Sequence, residues 1–237
     1  MYVLIGGAGL IGRTLAQRLV KLGHTVAIID IDPIACAYAR ERLGVMAFEG
    51  SAVSTDTLSE AGIHKADIVC AALRYDALNL AIVSLARHYK VPHIISRLRH
   101  RDFEHPLRHA GAHRIISTVN LAVSTMVNAA EYPQVESIMH FEEGQIEVLK
   151  LSISEDCTFA KHRLADIAKD PRFPPSSLII GYQAYPHKNL VIPNGDTVLE
   201  PNSKVLVVTK PETLHEIIDL LQPNVDLNIL VSSTDHQ

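Results

Sequence analysis

The sequence predicts an α/β chain: a Rossmann-like parallel sheet wrapped by helices, followed by a small α+β module. Three observations carry that prediction. Short apolar runs alternate with amphipathic helical patterns six times through the first half. The first run, Tyr2-Val3-Leu4-Ile5, leads into Gly7-Ala8-Gly9-Leu10-Ile11-Gly12, which has the glycine spacing of a dinucleotide-binding turn. Beyond residue 133 the pattern changes to longer alternating strands joined by turn residues.

Taken in order, strands are expected at residues 2–5, 25–29, 47–49, 68–72, 93–96 and 114–116, with helices at 9–22, 34–43, 56–61, 78–89 and 103–110. Gly7 permits the tight turn, Gly9 lets backbone approach a pyrophosphate, and Gly12 lets helix and strand pack closely. The free N–H groups at the start of that helix would face the phosphates. The second strand ends at Asp30, about 20 residues after the glycines, where a carboxylate accepts hydrogen bonds from an adenosine ribose. Its charge also disfavours a 2′-phosphate, so NAD is expected over NADP. Short connections place Gly7, Asp30, Ser51, Leu73 and Arg97 near the carboxyl ends of strands, where one crevice collects them.

After the sixth strand, Val119, Ala122, Val123, Met126, Val127 and Ala130 recur at helical spacing, and the helix stops before Pro133. Such a stripe either folds back on its own domain or docks on a second subunit. Domains are therefore drawn at 1–133 and 134–222, with a loose tail at 223–237 that holds a possible strand at 227–231. The second module is read as strands at 145–153, 178–185, 190–192 and 204–209, with helices at 163–169 and 214–221. Asn194-Gly195-Asp196 supplies a turn in which Gly adopts positive φ easily, and Pro201-Asn202-Ser203 supplies another.

Composition narrows the function classes. With 237 residues and 47% hydrophobic content the chain can fill two cores. A formal charge of −4, with Lys and Arg reading as scattered, gives no footprint for nucleic acid, and 5% aromatic residues give no stacking platform. The longest uncharged stretch, 115–130, is too short and polar to span a bilayer, and no signal peptide precedes the first strand. Cys36, Cys70 and Cys157 lie far apart without metal spacing, and Cys70 reads as a buried strand residue. His105, His109 and His113, with His100 nearby, are spaced one turn apart, yet Pro106, Gly111 and neighbouring arginines make a solvated face the expected reading. Glu142-Glu143 reads as a turn first and a divalent-ion site second.

The two halves together resemble the Trk and Ktr potassium-uptake regulators, the RCK family. In the first half the resemblance lies in the glycine loop and Val26-Ala-Ile-Ile-Asp30, then Glu49-Gly-Ser-Ala52, Ala66-Asp-Ile-Val69 and Ile95-Ser-Arg-Leu-Arg99. In the second it lies in Val191-Ile-Pro-Asn-Gly-Asp-Thr-Val-Leu199 leading to Lys204-Val-Leu-Val-Val208, the more specific match. The resemblance implies that Gly7, Ala8, Gly9, Leu10 and Ile11 hold a pyrophosphate, and Asp30 the ribose. Ser51 and Ala52 would meet the adenine edge, Leu73 and Arg74 the region above the phosphates, and Arg97 the crevice mouth. It implies a cytoplasmic regulatory subunit, peripheral on the inner membrane face. Its partner would be an integral membrane potassium transporter subunit, and its dimers would assemble into a ring.

Two positions depart from the family pattern: Ser51 stands where Asp is common, and Leu10 where nucleotide-switched members carry a basic residue. NAD(H) is therefore ranked above ATP or ADP, although Arg13 one step later offers a cation. Arg74 and Arg97 either fork onto phosphate oxygens or are simply solvated, and Asn79 either caps the fourth helix or contacts ligand. The competing class is an NAD-dependent dehydrogenase or epimerase. No Tyr is followed four positions later by Lys, and the second module is too small to wrap a substrate, so no enzyme activity is expected.

Overall fold

A computed structural model describes residues 1–141, 145–186 and 189–223, and the chain divides into two compact units, Met1–Ala122 and Val123–Gln237. The first holds β1 (Tyr2–Gly6), α1 (Leu10–Lys21), β2 (Thr25–Asp30), α2 (Pro33–Leu43), β3 (Met46–Glu49), α3 (Thr55–Glu60) and β4 (Ile68–Ala71). It continues through α4 (Asp76–His88), β5 (His93–Leu98), α5 (Glu104–Ala110) and β6 (Arg114–Ser117). The six strands form one sheet in the order β3-β2-β1-β4-β5-β6, every pair parallel.

A parallel sheet covered on both faces needs strands apolar on both sides, and these are. Leu4, Ala27, Ile29, Val69 and Ala71 point into one core with Ile82, Val83 and Ala86 of α4. Val3, Ile5, Val26, Ile28 and Cys70 point into the other with Ala16 of α1 and Ala39 of α2. Burial pushes the Cys70 thiol up to about 11, so it is a packing residue and not a nucleophile. The strand order reverses direction between β1 and β4, and a crevice opens there at the carboxyl ends.

The last helix before the second module, α6 (Thr118–Glu131), contains the boundary between the units. None of its residues is buried: Val123, Met126 and Val127 are 51%, 70% and 52% exposed.

The second unit carries β7 (Val135–Phe141), β8 (Ile146–Ser152), α7 (Leu164–Ile167), β9 (Leu178–Gln183), β10 (Lys204–Thr209) and α8 (Leu214–Leu221). Its sheet runs β7-β8-β10-β9 and is antiparallel throughout. Leu149, Leu151, Val205 and Val207 alternate inward against Ile217, Ile218 and Leu221 of α8. Glu136 bridges Lys150 and Lys204 across three strands.

The structure differs from the sequence expectation at four points. Strand β7 was not expected; only Val135 of its seven residues is buried, so it shows no apolar alternation. Residues 190–192 form no strand: they contribute a single bridge, Val191 to Tyr182, and β9 stops at Gln183. Gly195 is not at positive φ; its value is steric, since a Cβ there would lie 3.2 Å from Ala165 Cβ, whereas the left-handed residues of this unit include Lys161 at φ 64° and, in the Pro201-Asn202-Ser203 turn, Asn202 at φ 60°. The tail strand proposed at 227–231 and the pair Glu142-Glu143 lie outside the described residues.

Candidate nucleotide-binding cleft

The glycine loop is built by backbone hydrogen bonds that leave its far end open. Gly7, at φ +109°, donates its N–H to the Ile29 carbonyl at 2.8 Å, and the Ala8 N–H donates to Asp30 Oδ2 at 2.6 Å. Positive φ is the reason for glycine at position 7. Gly9 caps α1 without a side-chain acceptor, and the first turn of that helix contains no acidic residue. Among the described residues nothing accepts the N–H groups of Gly9, Leu10 and Ile11. An unfilled helix start with positive partial charge is an anion seat.

The two remaining glycines divide the work. A Cβ on Gly12 would sit 1.8 Å from the Gly7 carbonyl oxygen, so this position exists to let α1 press against the loop. A Cβ on Gly9 would meet nothing within 4 Å, so that glycine keeps space clear above the loop. The next two helices lack this openness: Asp32 caps α2 by accepting from Ile34 N at 2.9 Å, and Ser54 caps α3, whereas α4 also starts without a side-chain cap but carries Asp76 in its first turn.

Around the loop the expected residues take distinct positions. Asp30 accepts from Ala8 N and from Asp32 N at 3.0 Å, so it already orders the loop, and each oxygen retains a lone pair for a hydroxyl. Leu73 packs against the loop, with its Cδ2 3.1 Å from where a Gly7 Cβ would be. Ser51 Oγ accepts from Val53 N at 3.4 Å in a local turn. Ala52 is buried and its side chain belongs to the sheet core, leaving backbone as what that position offers. Leu10 is 71% exposed at the helix start. Arg74 is exposed over the ring of its neighbour Tyr75, and Arg13 lies over Tyr38 of α2, 5.3 Å from the ring centre.

Two residues organise the crevice that the sequence reading missed or misjudged. Asn79 is not a cap, because α4 starts at Asp76 with Tyr75 at its cap position. Fully buried, Asn79 accepts from Leu73 N at 2.9 Å through Oδ1 and donates through Nδ2 to the carbonyls of Leu73 and Arg97 at 3.2 and 3.3 Å. Asp76, 4% exposed, accepts from Arg99 N at 3.0 Å and His100 N at 2.9 Å. Together they tie the loops after β4 and β5 into one wall. Arg97 Nε in turn donates to Thr118 Oγ1, on the first residue of α6, at 3.3 Å. The detectable signal was the Asp-x-x-Asn spacing on the first turn of a helix leaving a strand end.

The histidines do not converge. His105 and His109 stack on each other, while His113 Nδ1 accepts from Ile94 N. Among the described residues no helix is long and apolar enough to cross a membrane, and no group of three His, Cys, Asp or Glu is placed to hold a metal.

A Rossmann-type sheet with an open glycine loop, continued by a small antiparallel module, defines the class: a two-module chain with a nucleotide fold. Residues 3–118 match the TrkA-N domain family and residues 148–222 the TrkA-C domain family. The Trk system potassium uptake protein TrkA homolog of Methanothermobacter thermautotrophicus is 32% identical over 216 residues, 91% of this chain and 97% of the relative. The protein of the same name from Pyrococcus abyssi is 30% identical, over 94% and 98%. The chain belongs to the TrkA family of Trk system potassium uptake proteins. In fold it is similar to a GsuK channel bound to NAD, with TM-score 0.64 at 20% identity, covering 93% of this chain and 39% of the channel chain. It spans about two fifths of that channel's length. It is also similar to the TrkA-N domain of the inner membrane protein ybaL of Escherichia coli, with TM-score 0.51 at 23% identity, covering 54% and 94%.

Proposed function

We propose that this chain is a cytosolic, nucleotide-binding regulatory subunit, peripheral to an integral membrane potassium transporter, that gates potassium uptake in response to NAD(H) or, less favoured, ATP or ADP. The observation that carries it is the unfilled start of α1, with free N–H groups, clear space above Gly9 and Asp30 at the lip. Full-length likeness to potassium uptake proteins supports the transport role. The solved channel with NAD supports the choice of ligand. In this reading Gly7 to Ile11 seat the pyrophosphate, Asp30 the ribose, Ser51 and Ala52 the adenine edge, Leu73 and Arg74 the region above the phosphates, and Arg97 the crevice mouth.

We read the protein as a sensor and not an enzyme. The polar side chains that shape the crevice, Asp30, Asp76, Asn79 and Arg97, are engaged with backbone or hydroxyl partners, which gives them the work of positioning loops. A ligand shifts a conformational equilibrium only if it binds the two states unequally. The bond from Arg97 to Thr118 offers that difference, because a phosphate that recruits the guanidinium releases the root of α6.

Asp30→Ala is expected to weaken NADH binding by about 1–3 kcal/mol, roughly 5- to 150-fold. It should also narrow the preference for NADH over NADPH, since the carboxylate is what repels a 2′-phosphate. Calorimetric titration reads both, and an unchanged NADH-to-NADPH ratio would remove the ribose assignment. For assembly, the exposed stripe on α6 is the proposed contact between copies, building dimers toward a ring. Val123→Glu with Met126→Glu should convert an oligomeric parent into smaller species on sedimentation. A monomeric parent would contradict the assembly.

A further inference from the structure

We infer that the first unit carries a second anion site, remote from the glycine loop, that takes a phosphoryl group. Lys and Arg, scattered along most of the chain, are in fact concentrated in residues 87–114. That stretch holds seven of the 22 and six of the 13 histidines, against two acids, Asp102 and Glu104. Within it lies a surface cavity of about 430 Å³ lined by Arg87, Lys90, Val91, Ile94, Gly111 and His113. These residues belong to the carboxyl ends of α4 and α5 and the amino ends of β5 and β6. The cavity therefore lies on the opposite edge of the sheet from the nucleotide cleft.

Every polar side chain lining the cavity is a donor. His113 accepts the Ile94 N–H through Nδ1 at 3.1 Å, which places its own proton on Nε2. Its ring is held edge-on to His93 at 5.9 Å between centres. Arg87 Nη1 donates to the His109 carbonyl at 2.9 Å, and among the described residues Nη2 and Nε of the fork meet no acceptor. Gly111 keeps that guanidinium stem in place, since a Cβ there would lie 2.7 Å from Arg87 Cδ. Among the described residues no carboxylate lines the cavity.

The simpler account is that these cations complement the negative ends of α4 and α5. It covers Arg87, which bonds an α5 carbonyl, but not Lys90. Among the described residues no hydrogen bond or ion pair engages the Lys90 ammonium. Lys90 also occupies a left-handed position, φ 58°, directly after the helix cap Tyr89, where glycine or asparagine is the favoured residue. A lysine at a left-handed position, unpartnered among the described residues, beside a fixed arginine and an oriented imidazole N–H, matches the tetrahedral oxygens of a phosphate.

Two sources present that chemistry, a soluble phosphate compound and a phospholipid headgroup. The probes are inorganic pyrophosphate, titrated calorimetrically into the full chain, and vesicles of phosphatidylglycerol with phosphatidylcholine, assayed by co-sedimentation. Lys90→Gly is the informative variant because it removes the ammonium while supplying the residue the backbone favours, so its melting temperature should equal or exceed the parent's. It should weaken the bound probe about tenfold or more, and Arg87→Gln similarly, through the loss of charge-assisted contacts. Pyrophosphate binding that depends on Lys90 supports a soluble ligand, and vesicle binding alone that depends on Lys90 supports a headgroup. Binding of neither probe, or equal binding by parent and Lys90→Gly, overturns the site.

Discussion

Gly9→Val is expected to remove nucleotide binding and leave the fold standing, whereas Gly12→Val is expected to unfold the amino-terminal unit. The backbone at Gly9 is extended, φ −66° and ψ −174°, and nothing lies within 4 Å of an added Cβ, so the fold has no objection to a side chain there. The cost to stability is about 1 kcal/mol at most, from a β-branched residue at a helix cap, or a few degrees of melting temperature. The valine would instead fill the space needed by a pyrophosphate. At Gly12 the obstacle is backbone: the Gly7 carbonyl oxygen 1.8 Å away and its carbon 2.9 Å away, in a loop already fixed by bonds to Ile29 and Asp30. That exceeds the overpacking that ordinarily costs about 1–3 kcal/mol. Thermal melts and NADH titrations of the two variants check the pair. Parent-like NADH affinity in Gly9→Val would make the loop purely structural, and a parent-like melt in Gly12→Val would refute the packing argument.

Asp76→Ala is the second large effect. Its buried carboxylate accepts two backbone N–H groups, from Arg99 and His100, and each bond to a charged acceptor contributes about 1.5–3 kcal/mol. Losing both should destabilise the first unit by about 2–4 kcal/mol after water replaces part of the loss. It should also loosen the segment that carries Arg97, so NADH affinity should fall roughly tenfold in protein that remains folded. Chemical denaturation and calorimetry separate the two consequences. A denaturation midpoint equal to the parent's would show that the carboxylate does not hold the wall.

The first unit was legible because its strands are apolar on both faces and its glycine loop lies between strand and helix, so periodicity and turn chemistry agree. Each of its six strands was placed within two residues of its end. Asp76 and Asn79 were not legible as a clamp. Their partners lie up to 24 residues away across a loop, and an acid in a first helical turn looks ordinary. Placing the start of α4 at residue 78 made Asn79 look like a cap, whereas the helix begins at Asp76. In the second unit β7 was invisible because six of its seven residues escape burial, and Gly195 was credited with a backbone role that belongs to Asn202. Composition had suggested evenly spread cations, and only the fold shows that residues 87–114 bring Arg87, Lys90 and His113 to one cavity.

Potassium uptake in cells lacking this gene tests the central claim most directly, with the parent chain and Gly9→Val returned at equal abundance. The account predicts that the parent restores regulated uptake and that Gly9→Val, folded but unable to seat a nucleotide, does not respond to the nucleotide state. Unimpaired uptake in the deletion strain at every potassium concentration, or full restoration by Gly9→Val, would contradict it.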